Sequence, residues 1–97
     1  MVTEAFSGSV DQRRGPAQAN HTIQVSAAGS ISASLNWGGG ANLDLFLLNP
    51  AGQQVASDTG KGKPHSLSFN ATATGTYTLR VVAASGSASY TLSVTHP

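Results

Sequence analysis

Apolar and polar residues alternate with a period of two through most of the chain. Ile23 and Val25 alternate with Thr22, Gln24 and Ser26, and Ile31, Ala33, Leu35 and Trp37 alternate with Ser32, Ser34 and Asn36. The same period runs through Leu43, Leu45 and Leu47, through Leu67 and Phe69, and through Tyr77, Leu79 and Val81. It returns a last time in Tyr90, Leu92 and Val94. One apolar side and one hydroxyl or amide side mark a half-buried antiparallel strand. No stretch carries the i, i+3, i+4, i+7 spacing of a helix. With a first strand near residues 4–10 and a short one near 54–57, the pattern predicts about eight strands. The expected fold is all-β, a two-sheet antiparallel β-sandwich of jelly-roll type.

The breaks between these runs carry turn chemistry. Ala28-Gly29-Ser30, Gly38-Gly39-Gly40, Asn49-Pro50-Ala51-Gly52, Gly60-Lys61-Gly62-Lys63-Pro64, Ala73-Thr74-Gly75 and Ser85-Gly86-Ser87 all separate strand patterns. Asn49-Pro50-Ala51-Gly52 suits a type I or II turn, with proline presetting φ at the second position. Residues 11–20 show no period and are expected to be a loop. No internal repeat and no interdomain linker is visible, so residues 1–97 are expected to be a single module.

Composition narrows the function more than the fold. Five Lys and Arg stand against four Asp and Glu, a formal net charge of +1. Nucleic-acid binding needs a basic face that so few cations cannot build. No apolar run is longer than Leu45-Phe46-Leu47-Leu48, far short of the ~20 residues that cross a bilayer. The absence of cysteine excludes disulfides, thiolate zinc sites and a thiol nucleophile. Ser, Thr, Gly and Ala dominate instead, as in secreted bacterial sheet modules. The first residues lack the charged and apolar regions of a signal peptide, so Met1 is taken as an expression start on a module cut from a longer secreted chain.

Catalytic parts are missing. A hydrolase needs a nucleophile with a base in reach, or two carboxylates flanking a bond. His21, His65 and His96 lie in unrelated places, and only Asp44 among the acidic residues sits within a regular strand. Phe6-Ser7-Gly8-Ser9-Val10 has the outline of a nucleophile elbow but no helix to open. The expectation is a chain without enzymatic activity. Two acceptor patterns for glycosylation, Asn20-His21-Thr22 and Asn70-Ala71-Thr72, arise readily in a chain rich in Ser and Thr. Arg13-Arg14 and Lys61-Gly62-Lys63 read as solvated loop charges.

The order of the pieces from Phe6 onward resembles the bacterial pre-peptidase C-terminal domain family. The resemblance is carried by Phe6-Ser7-Gly8-Ser9-Val10, the run from Ile23 to Trp37, and Asn42-Leu43-Asp44-Leu45-Phe46-Leu47. It continues through Asn49-Pro50-Ala51-Gly52, the segment from Gly75 to Val81 and the segment from Gly86 to Val94. It implies a secreted β-sandwich accessory module attached to a protease or another extracellular hydrolase. Where the family usually has Asp-Leu-Asp-Leu-Tyr, this chain has Asn42-Leu43-Asp44-Leu45-Phe46. One carboxylate and one phenol are thereby lost.

By the alternation, Asn36, Asn42, Asp44, Phe46, Thr78 and Arg80 point outward. A solvent-facing aromatic beside amides, a carboxylate and a guanidinium is what a sheet uses to hold a sugar chain, the ring stacking on pyranose C–H groups. Phe46 is thus either a stacking platform or a side chain that covers a loop or is turned inward by a bulge. Trp37 has core parity but ends its strand at three glycines, which leaves its ring in the core or at the rim. Tyr77 is read as a corner tyrosine bonded to the backbone, and Tyr90 as core. The expected binding set is Trp37, Phe46, Asn36, Asn42, Asp44 and Arg80. For calcium, which related modules often use for stability, Asn42, Asp44 and Asp58 are the candidate oxygen ligands. Asp58-Thr59-Gly60 reads equally as a turn held by its own aspartate.

The leading functional expectation is a non-catalytic carbohydrate-binding module. It would target a secreted glycoside hydrolase, its covalently linked catalytic domain, to plant cell-wall β-glucan, cellulose-like or xyloglucan. The alternative is the accessory domain of a secreted protease, binding a collagen-like protein or aiding folding and secretion. A structural spacer is the third reading. A shallow site with one or two stacked rings implies millimolar to micromolar affinity.

Overall fold

The computed structural model describes residues 2–59 and 64–97. They form eight strands: β1 (Val2–Asp11), β2 (Gln18–Val25), β3 (Gly29–Trp37), β4 (Asn42–Leu48), β5 (Gln54–Asp58), β6 (His65–Ala71), β7 (Gly75–Ser85) and β8 (Ser87–His96). Two four-stranded antiparallel sheets result, in the orders β1-β8-β3-β6 and β2-β7-β4-β5. Successive strands change sheet at every connection except the β4–β5 hairpin. This is the expected sandwich with jelly-roll connections.

The period of two becomes the core directly. Ile31, Leu35, Leu43, Leu45, Leu47, Leu79, Leu92 and Val94 are fully buried between the sheets. Each such side chain contributes on the order of 1.5–3 kcal/mol by leaving water. The hydroxyl and amide residues between them face solvent.

The turns bear out their sequence chemistry where they are described. Asn49 Oδ1 accepts the backbone N–H groups of Ala51 and Gln53, and Gly52 N–H donates to the Asn49 carbonyl. Gly52 takes a φ of 84°, which a side chain would resist. The expected turn at 60–64 lies outside the described residues except for Pro64, as do Lys61 and Lys63.

One boundary differs from the sequence expectation. Residues 11–20 are not all loop, because Asp11 ends β1 and Gln18 already begins β2. Gln18, Ala19 and Asn20 pair with Val82, Val81 and Arg80 of β7. The alternation continues there, but its inward members are Ala19 and His21, which carry little apolar signal. The loop between them is tied by Asp11 Oδ1, which accepts from the N–H groups of Arg13 and Arg14.

Candidate functional site

Strand register sorts the outward residues onto two faces of opposite character. On β2-β7-β4-β5 a cross-strand row runs Asn20, Arg80, Phe46, Ser57. Phe46 is half-buried, on the outer face as its parity requires. Leu48, two residues along β4, and Val82, diagonally across on β7, are also half-buried on this face, so the ring belongs to a small apolar spot. Arg80 Nε donates to Asn20 Oδ1 at 3.0 Å, which aims the guanidinium along the row. Asp44 lies opposite Val82 on the same face. The expected set of Asn42, Asp44, Phe46 and Arg80 is therefore brought onto one sheet.

Asn36 and Trp37 are not part of it. Both lie on β3, in the other sheet. Asn36 faces solvent there, on the far side of the molecule from Phe46. The Trp37 ring packs in the core at 6 % exposure, its Nε1 donating to the Ala41 carbonyl at 2.8 Å and its face tilted against His65 at 5.1 Å between centroids. It does not reach the rim as a stacking platform, because that bond and that ring hold it inward.

The calcium donor set does not converge. Asp58 is paired with the inward-facing Leu45, so it shares the inner side, whereas Asp44 is on the outer side. Asp58 Oδ2 already accepts the Ser66 N–H at 2.7 Å and lies 3.4 Å from His65 Nδ1. Asn42 Oδ1 is buried without a hydrogen-bond partner, which fits an ion contact, but one amide oxygen makes no calcium site. Among the described residues no three His, Asp or Glu side chains gather.

The histidines are structural fasteners. His96, 3 % exposed, donates from Nε2 to Glu4 Oε2, closing β1 onto the end of β8. His21 Nε2 and the Tyr90 hydroxyl are hydrogen-bonded at 2.6 Å, with the Phe6 ring 4.9 Å from the imidazole. Burial pushes the His21 pKa down and the Tyr90 pKa up, since both charged forms lose hydration. Gly8 makes this possible, because a Cβ there would stand 2.7 Å from the Tyr90 hydroxyl. His65, also 3 % exposed, sits beside Asp58 behind Trp37.

The outer face of β1-β8-β3-β6 is the feature that strand-by-strand reading missed. Among the described residues its outward positions are Ser, Thr, Asn or Ala, for example Ser30, Ser32 and Ser34 on β3 and Thr91 and Ser93 on β8, with Asp11 at the end of β1 the exception. Asp11 is its charged side chain among the described residues, and no aromatic side chain points outward there. Two depressions of about 430 and 690 Å³ open on it. The signal was the run of Ser at every second position, but only strand order shows that those runs adjoin.

Comparison with known proteins agrees with this architecture. The family model of the bacterial pre-peptidase C-terminal domain matches residues 19–83. The pre-peptidase C-terminal domain of collagenase from Bacillus anthracis superposes with a TM-score of 0.82 at 25% identity, covering 97% of this chain and 90% of that one. The periplasmic inhibitor of g-type lysozyme PliG from Aeromonas hydrophila shares the fold, with a TM-score of 0.69 at 18% identity over 96% of this chain and 84% of that one. So does the Yersinia pseudotuberculosis-derived mitogen, with a TM-score of 0.69 at 17% identity over 99% and 86%.

Proposed function

Because the chain belongs to the bacterial pre-peptidase C-terminal domain family, we propose that it is a non-catalytic accessory module of a secreted hydrolase that holds an extended, collagen-like protein for a linked catalytic domain. The observation that carries this reading is the likeness, over nearly the whole of both chains, to the corresponding domain of a collagenase. It reverses the weight that the sequence expectation put on β-glucan.

The outer face of β2-β7-β4-β5 is suited to the task. An extended protein offers carbonyls, occasional charges and flat apolar side chains such as proline. Arg80 and Asn20 supply donors and an acceptor, Asp44 a counter-charge, and Phe46 with Leu48 and Val82 an apolar contact. The face is open, so a long ligand can pass across it without threading. Binding is expected to be weak per site and to gain from attachment to the catalytic domain, which raises the local concentration of substrate.

Co-sedimentation with insoluble collagen fibres tests the proposal. The chain is expected in the pellet, with Phe46→Ala and Arg80→Ala each weakening binding by roughly tenfold, a loss of about 1.4 kcal/mol. A chain that stays in the supernatant would sink the reading. Retardation in a β-glucan gel that Phe46→Ala removes would instead make this same face a sugar site.

A further inference from the structure

The outermost strands of the two sheets, β1 and β6 in one and β2 and β5 in the other, differ in how their edges are protected. β1 carries Glu4 on its inner side, bonded to His96. β5 is short, has Asp58 on its inner side and pairs with β4 through a register shift. On β2 the inward His21 is bonded to Tyr90 and lies against the Phe6 ring. Short length, a bulge or an inward charge keeps a sheet edge from pairing with another chain. From Ser66 to Ala71, β6 has no charge, no proline and an unbroken register with β3. We infer that β6 is a self-association edge, where the β6 strand of a second copy of this chain pairs antiparallel and joins two four-stranded sheets into one.

One hydrogen bond sets the register. In an antiparallel ladder, alternate residues turn their N–H and C=O toward opposite neighbours. Ser66 N–H points away from β3, since it donates to Asp58 Oδ2 at 2.7 Å. Ser68 and Asn70 therefore turn theirs to the outer edge as well, and among the described residues no strand pairs there. A twofold axis at Phe69 sets Ser68 of each copy opposite Asn70 of the other, with both main-chain bonds made at each such pair. The bond from Ser66 to Asp58 stays in place.

The side chains suit that register. Phe69 is half-buried, whereas Leu67 and Ala71 on either side of it are buried, and its ring packs on Tyr77 at the margin of the core. On the axis it meets Phe69 of the second copy at a non-hydrogen-bonded position, where side chains stand closest. Leu67 of each copy faces Ala71 of the other, so the apolar inner side runs on unbroken. On the outer side a small neutral hydroxyl meets an amide. With a net charge of +1 the two copies repel each other little. An unrelated peptide would share the main-chain bonds but not the contact of ring with ring.

The pairing does not rest on the fibre reading, though it serves it. Antiparallel strands of one sheet share its two sides, so both copies turn their Phe46 face the same way and two weak sites grip one fibre. An interface of one strand per copy is small, which implies a dissociation constant of about 10–100 μM.

Sedimentation velocity of the chain from about 10 μM to about 1 mM tests the inference, the coefficient being expected to rise from monomer to dimer across that range. Ser68→Pro deletes an edge N–H that β3 does not use, and Phe69→Lys sets a charge on the axis. Each is expected to weaken self-association roughly tenfold or more. Where Phe69→Lys costs the fold, Ser68→Pro decides. The chain has no cysteine, so single spin labels report which edge is used. Two labels on Ser32→Cys of β3 are expected to lie roughly 15–25 Å apart in the dimer, and two on Ala5→Cys of β1 more than about 30 Å apart, from the spacing of strands. Phe46→Ala is expected to leave self-association unchanged, so loss of fibre binding and loss of the dimer are told apart. A chain that stays monomeric across the range overturns the inference. So does a dimer that Ser68→Pro leaves intact, or one in which the Ala5 labels lie closer together than the Ser32 labels.

Discussion

Tyr77 shows how much one hydroxyl does in a sandwich of this size. Its ring is buried against Phe69, and its hydroxyl donates to the Ala73 carbonyl at 2.9 Å, pinning the corner through which the chain enters β7. Tyr77→Phe keeps the ring and leaves that carbonyl short of a partner, a cost of about 1–2 kcal/mol. The midpoint of thermal unfolding is expected to drop by roughly 4–8 °C for each kcal/mol lost. An unchanged midpoint would mean the corner is held by packing alone. His21 makes a second residue-level prediction. Its folded pKa lies below the ordinary 6.5, so the unfolded chain takes up the proton first as pH falls. Stability is complete above that ordinary value and declines as pH drops below it, levelling once the folded state is protonated too. Thermal unfolding followed from neutral to mildly acid pH should show this decline, and His21→Gln should lessen it. Equal pH profiles for the two chains would remove His21 as the cause. Tyr90 acts at the other end, its raised pKa making stability fall as pH climbs past the ordinary tyrosine value near 10.

At the scale of elements, β1 is the outermost strand of its sheet, and its inner side is shaped for contact with β2 and β8. Glu4 meets His96, Phe6 meets His21, and Gly8 lies under the Tyr90 hydroxyl. An inward charge on an edge strand also discourages pairing with another chain. Gly8→Ala forces the Tyr90 ring away and strains its bond to His21, an overpacking cost of about 1–3 kcal/mol. Urea unfolding is expected to show a lower midpoint with an unchanged slope. A midpoint equal to that of the parent chain would show that Tyr90 moves freely and is not the fastener described. The sequence announced none of this, because a glycine in an alternating run looks like any other small residue.

At the scale of the whole molecule, the two sheets present different surface chemistry. One outer face gathers an aromatic ring, a guanidinium and a carboxylate; the other is mostly hydroxyl. Within one sheet the pleat separates the candidate calcium ligands, with Asp44 on its outer side and Asp58 on its inner side. Adding calcium, or removing it with a chelator, is accordingly expected to leave the unfolding temperature unchanged, since an ion that bound only the folded state would raise it. A clear rise with calcium would show that Asn42, Asp44 and Asp58 do meet around an ion.

The period of two was enough, without coordinates, to place nearly every core residue, because in a strand the side of each residue follows from counting. Turn chemistry marked the breaks for the same local reason, and the corner tyrosine was legible from Gly75-Thr76-Tyr77. Parity also put Phe46 outward and Trp37 inward, as found. Local pattern says nothing, however, about which strands become neighbours. Asn36 and Phe46 are both outward, yet they lie on opposite faces because β3 and β4 belong to different sheets. Arg80 stands between Asn20 and Phe46, sixty residues from the first, only because β7 is central. The hydroxyl-rich outer face of the other sheet, likewise, is a set of separate strands until the jelly-roll connections bring them side by side. Long-range pairing, which depends on closing the whole core at once, decided what the chain presents to a ligand.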